Sequence, residues 1–141
     1  MSAASSLPLV YACSGCSSAA QMANDFALRL TREGLAEMSC IAGVGGGVPA
    51  LVRLASSGRH ILALDGCPLR CVAACLRQAG LAPSQTVLLS AHGVIKHKHR
   101  PYDPAQAELL WPEVATAARR LAGPPSPPLP AAQTPCPDSS D

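Results

Sequence analysis

Five of the seven cysteines fall where a small α/β domain would gather them. Cys13 and Cys16 form a Cys-Ser-Gly-Cys turn after the apolar run Leu7 to Ala12. Cys40 lies near the end of a second run, and Cys67 and Cys71 follow a third in Asp-Gly-Cys-Pro-Leu-Arg-Cys. Thiolates in this number have two natural uses. Four of them satisfy a tetrahedral zinc ion at ~2.3 Å, whose charge makes adjacent thiolates tolerable; soft sulfur donors also suit copper(I) or an iron-sulfur cluster. Alternatively, a Cys-x-x-Cys at a strand-to-helix junction does dithiol redox chemistry, with Cys13 as nucleophile and Cys16 resolving, or handles persulfide sulfur. Cys67 is the other thiol that could serve such an enzyme. Cysteines also fill small core positions. Cys75 reads that way, and Cys40 carries both readings.

Bringing these sulfurs together requires strands whose carboxyl ends share one edge. Strand and helix signals alternate from residue 7 onward. After Leu7 to Ala12, Ser17 or Ser18 caps a helix with Ala19, Met22, Phe26 and Leu30 at three-to-four spacing, ended by Gly34. Glu37 to Ala42 reads as a second strand, Gly43 to Gly47 as a turn, and Pro49 as the first residue of a short helix through about Ser56. His60 to Leu64 is the third run. Pro68 suits the first turn of a helix that holds Val72, Leu76 and Ala79 and closes at Gly80; begun at Cys67, it would bring Cys71 round one turn later. Thr86 to Ser90 is the fourth run. The fold class expected is therefore α/β, a small Rossmann-like parallel sheet of about four strands with flanking helices.

Asp103 and Pro104 cap and start a last helix carrying Ala107, Leu110, Trp111, Val114 and Leu121, with Pro112 predicting a kink or a break. Residues 123–141 hold seven of the fourteen prolines, a composition that buries too little to order itself, so a disordered tail including Cys136 is expected. The organisation read from the sequence is a flexible 1–6, one domain over 7–122, and the tail.

Composition narrows the partners. With 48% apolar and 14% charged residues, 141 residues build one real core. A net charge of +2 and 3% aromatic content give neither a phosphate-neutralising surface nor a base-stacking platform, so nucleic acid is not expected. Leu7 to Ala12 is too short and lacks the preceding Lys or Arg of a secretion signal, and no run approaches the ~20 residues of a membrane helix. A cytoplasmic protein without a membrane partner is expected, and in that reducing compartment clustered cysteines bind metal or do redox chemistry.

Three motifs taken together resemble one family. Tyr-Ala-Cys-Ser-Gly-Cys-Ser at 11 to 17, Met-Ser-Cys-Ile-Ala-Gly-Val-Gly at 38 to 45 and Leu-Asp-Gly-Cys-Pro-Leu-Arg-Cys at 64 to 71 resemble the DGC-domain family, which is associated with zinc binding. Asp65, Gly66 and Cys67 are the tripeptide of its name, and the likeness runs over roughly residues 7 to 100. It implies Cys13, Cys40, Cys67 and Cys71 as chelating positions, with Cys16 an additional thiol in the first turn. Zinc held by four of Cys13, Cys16, Cys40, Cys67 and Cys71, as carrier or sensor, is the function expected. A spare fifth thiol would exchange the ion with a protein partner or attack a disulfide. Whether the chain is an enzyme stays open.

The glycines at 43 and 45 to 47 superficially match a dinucleotide fingerprint, but Val48 stands at the third glycine position; a loop shielding the cysteines or binding a small anion explains them as well. Cys71 to Arg77 has a phosphatase spacing on what reads as continuous helix, a chance match. His92 follows the fourth strand at the cysteine edge, as ligand, proton shuttle or turn residue. Lys96 to Arg100 reads as a solvated basic loop, with an anionic ligand as its functional alternative.

Overall fold

A computed structural model describes residues 7–123 of the chain. Four parallel strands, β1 (Leu9–Ala12), β2 (Glu37–Met38), β3 (Ile61–Asp65) and β4 (Gln85–Leu88), form one sheet in the order β2-β1-β3-β4. The helices between them are α1 (Ser18–Arg32), α2 (Ile41–Gly45), α3 (Pro49–Ala55) and α4 (Cys71–Gln78), and α5 (Pro104–Arg120) follows β4. The α/β parallel sheet expected from the sequence is the one observed.

The two central strands are apolar throughout because both sheet faces are covered. In β1, Val10 and Ala12 point into a core with α1 and α5 that includes Met22, Phe26, Leu30, Leu110 and Val114. Leu9 and Tyr11 point the other way, into a core with α2, α3 and α4 that includes Val44, Ala55, Val72 and Leu76. β3 follows the same alternation in register, with Leu9 opposite Ile61 and Ala12 opposite Leu64. Ser17 caps α1 by accepting from the Ala20 N–H at 3.1 Å, as its position before the periodic run predicts. At the strand amino ends, the Arg59 guanidinium holds the Leu7 carbonyl at 2.9 Å and the Glu37 carboxylate at 2.9 Å, fastening the edge strand β2 to its neighbours.

Three sequence expectations change. The second strand is two residues long, and Ile41 to Gly45 is a helical turn instead of strand and loop. Glycine permits this: a Cβ on Gly43 would collide with Leu51, and one on Gly45 would lie 2.8 Å from the Cys75 sulfur. Secondly, α4 starts at Cys71 and not near Cys67 or Pro68. Pro68 instead takes the second position of a turn closed by Arg70 N–H to Cys67 carbonyl at 3.1 Å, which uses the same fixed φ as a helix start. Arg70 then adopts φ 50 and ψ 57, a left-handed conformation that no helix continues through. Thirdly, α5 runs as one helix with Pro112 inside it, so of the kink or break expected there the break into two helices does not occur. The expectations for residues 1–6 and for the tail after Gly123, with Cys136, lie outside the described residues. Among the described residues, no helix is long and apolar enough to cross a membrane.

Pro112 is exposed and removes a donor from the helix interior. Pro112→Ala is expected to stabilise the domain by about 1–3 kcal/mol, read as a higher urea midpoint at unchanged slope.

Candidate functional site

The strand order places a crevice at one point. From β1 the chain crosses to β2 on one side, and from β3 it crosses to β4 on the other, so the loops leaving the two adjacent carboxyl ends diverge. Those two loops carry the Cys-Ser-Gly-Cys turn and the Asp-Gly-Cys-Pro-Leu-Arg-Cys turn. Between them opens a pocket of about 630 Å³ onto which Cys13, Cys16, Cys67, Cys71 and Cys75 all face.

The β1–β3 ladder runs straight into this site. Cys13 N–H donates to the Leu64 carbonyl at 3.1 Å, one rung past the strand, and the Gly66 N–H donates to the Cys13 sulfur at 3.2 Å. Gly66 can come so near because it has no side chain: a Cβ there would lie 2.8 Å from the Ala19 carbonyl carbon and 2.9 Å from its oxygen. Asp65, only 1% exposed, anchors the other side. Its carboxylate accepts from the Val72 N–H at 2.9 Å and the Ala73 N–H at 3.4 Å, capping α4 from the end of β3. Burial raises its pKa, and the two N–H groups and Arg70 partly restore the charged form. So the Asp-Gly-Cys tripeptide caps a helix, makes a backbone close approach and presents a thiol, in that order.

The thiols differ in setting. Cys16 and Cys71 are exposed; Cys13, Cys67 and Cys75 are half-buried. Burial pushes the Cys13 thiol above its ordinary pKa of 9.0; the Gly66 amide opposes this, while Asp65, Cys71 and Cys67 add to it. The Gly66 amide thus favours the thiolate at Cys13, but burial outweighs it. Burial, with Cys71 and Asp65, raises Cys75 as well. Cys67 receives the Lys96 ammonium at 3.7 Å, from the basic stretch that read as solvated loop.

Cys40, the remaining candidate, is exposed at the N-cap of α2 and does not line the pocket, although its neighbours Ile41 and Ala42 do. Cys75, read from the sequence as core, does line it. The signal for it was its i, i+4 relation to Cys71, which puts both on one helix face. His92 ends a 3-10 turn (Leu89–His92), exposed and away from the pocket wall. Among the described residues, no three Cys, His, Asp or Glu side chains converge closely enough to hold a metal ion. The donors suit a soft ion in kind and number, but they form no closed cage, and any ion would have to draw them inward.

The sequence profile of the DGC domain matches residues 9–114, which spans both cysteine turns and most of the fold. The chain belongs to the DGC domain family. It is 60% identical over 108 residues to the anaerobic and virulence modulator AnvM of Pseudomonas aeruginosa, a match covering 77% of this chain and 82% of that protein. No solved structure matches it.

Two outcomes follow from the site geometry. Gly66→Ala should destabilise the domain by about 1–3 kcal/mol in urea unfolding, whereas Gly15→Ala, whose Cβ would meet only Ala20 at 3.9 Å, should cost little. In timed iodoacetamide labelling of reduced, chelator-treated protein near pH 7.5, Cys16 should react about tenfold or more ahead of Cys13. Because the Cys13 pKa is raised, its labelling should catch up only as pH climbs past 9.0.

Proposed function

We propose that the pocket binds one thiophilic metal ion, zinc in the first instance, as an ion carried or sensed by the protein. The observation that supports this best is that four thiols from two distant turns, and Cys75 from the helix that follows the second, open on one pocket at the switch point of the sheet. Half-buried Cys13 and Cys67 would supply the inner donors and exposed Cys71 and Cys16 the outer ones, with Cys40 beside the α2 wall as the exchangeable alternative. Several thiolates on one ion give the complex a net negative charge, which Lys96 and Lys98 at the pocket would offset. The absence of a preformed cage suits an ion that is taken up and released better than one that holds the fold together. Free thiols in this number fit a reducing compartment, the cytoplasm. AnvM's name calls that protein a modulator, and a sensing role for this chain accords with it.

A second reading, thiol-disulfide redox or sulfur transfer through Cys13 with Cys16 or through Cys67, draws on two observations. Among the described residues no three thiols converge, and the Lys96 ammonium sits against Cys67. AnvM's name also refers to anaerobic conditions.

Elemental analysis of protein purified under reducing conditions separates the two. Metal binding predicts about one zinc per chain, thiols shielded from labelling until a chelator is added, and loss of the ion in Cys67→Ser with Cys71→Ser. Metal-free protein in which one thiol outruns the others would reject it in favour of the redox reading.

A further inference from the structure

The thiol pocket is larger than an ion needs. At about 630 Å³ it lies within the ~300–1,000 Å³ typical of small-molecule sites, whereas a tetrahedral ion with ~2.3 Å bonds occupies a small part of that. Its walls are also not only sulfur. Ile41 and Leu69 supply apolar surface at the opening, Leu69 being 72% exposed, over a floor formed by buried Ala20 and Val72. Lys96 and Lys98 supply the two cations at the same pocket.

These lysines are placed by the backbone. After the 3-10 turn, the chain crosses the start of α1 in a strap that buried Ser18 fastens twice: Ser18 N–H donates to the His97 carbonyl at 2.8 Å, and His97 N–H donates to the Ser18 hydroxyl at 2.9 Å. On either side of that pin the side chains alternate. Lys96 and Lys98 turn to the thiol pocket, while Ile95 and His97 turn to a separate hollow of mixed lining. The strap is therefore a fixed element with a cationic side.

We propose that the thiol pocket also takes an amphipathic organic anion of roughly ten to twenty non-hydrogen atoms. Its apolar body lies over Ile41 and Leu69, and its carboxylate or other anionic head meets Lys96 and Lys98. A wall without charge would take a neutral apolar molecule equally well; two ammonium groups beside an apolar wall favour the anion. The inference needs no metal ion: it uses the apolar wall and the same two lysines that would offset a metal-thiolate charge, so the organic anion and a metal ion would compete for the pocket.

The test is isothermal titration of reduced, chelator-treated protein with octanoate and, separately, with 1-octanol, so that metal plays no part. Octanoate should bind about tenfold more tightly than the alcohol. Lys96→Gln with Lys98→Gln should abolish that preference while leaving alcohol binding and the thermal midpoint unchanged. Arg119→Gln with Arg120→Gln, in the last turn of α5, should preserve it. Equal binding of acid and alcohol, no binding of either, or the same loss in the α5 variant would overturn the proposal. None of these results would alter the zinc stoichiometry that tests the metal reading.

Discussion

The structure depends on two parallel strands that lie side by side and send their chains away in opposite directions. The pairing of β1 with β3 is the most buried part of the sheet, and its ladder extends one rung further, through Cys13 to Leu64, before the chains separate. A sulfur then takes the next donor, the Gly66 N–H. The site is in this sense the continuation of the sheet by other atoms. What allows it is the missing side chain at Gly66, which lets the second loop lie against the first turn of α1.

Each residue of the Asp-Gly-Cys tripeptide answers to a different physical demand. Asp65 is charged and almost wholly buried, which is costly unless the carboxylate meets donors. It meets two, and they are the free amides at the start of the helix that carries Cys71 and Cys75. The desolvation of one group and the unsatisfied N–H groups of the other offset one another. The orientation of α4, and so of two thiols, follows from that exchange.

Much of this was legible in the sequence because strong local signals agreed with the fold. Leu9 to Ala12 and Ile61 to Leu64 are apolar on both faces, as only buried parallel strands are, and the capping signals at Ser17 and Asp103 sit where the helices begin. The convergence of Cys13 with Cys67 followed from topology alone. What misled was proline and glycine, whose local preferences fit more than one structure. Pro68 has the φ of a helix start and of a turn's second residue, and the left-handed Arg70 that decides between them has no sequence signature. Gly43 and Gly45 read as a loop because their value lies in contacts with Leu51 and Cys75, which are tertiary. The same limit kept Cys75 in the core and Lys96 in solvent: each is defined by what stands opposite it.

Cys13 differs from its fellow thiols in one further respect. Its backbone is bolted to the sheet, while Cys16 lies in an exposed turn and Cys71 at the exposed lip of a helix. Under the proposed metal reading, Cys13 would be the stationary donor, and the thiols on the exposed turn and helix lip the ones an incoming competitor reaches first. Hand-over would then proceed from the outside inward, with Cys13 the last to let go.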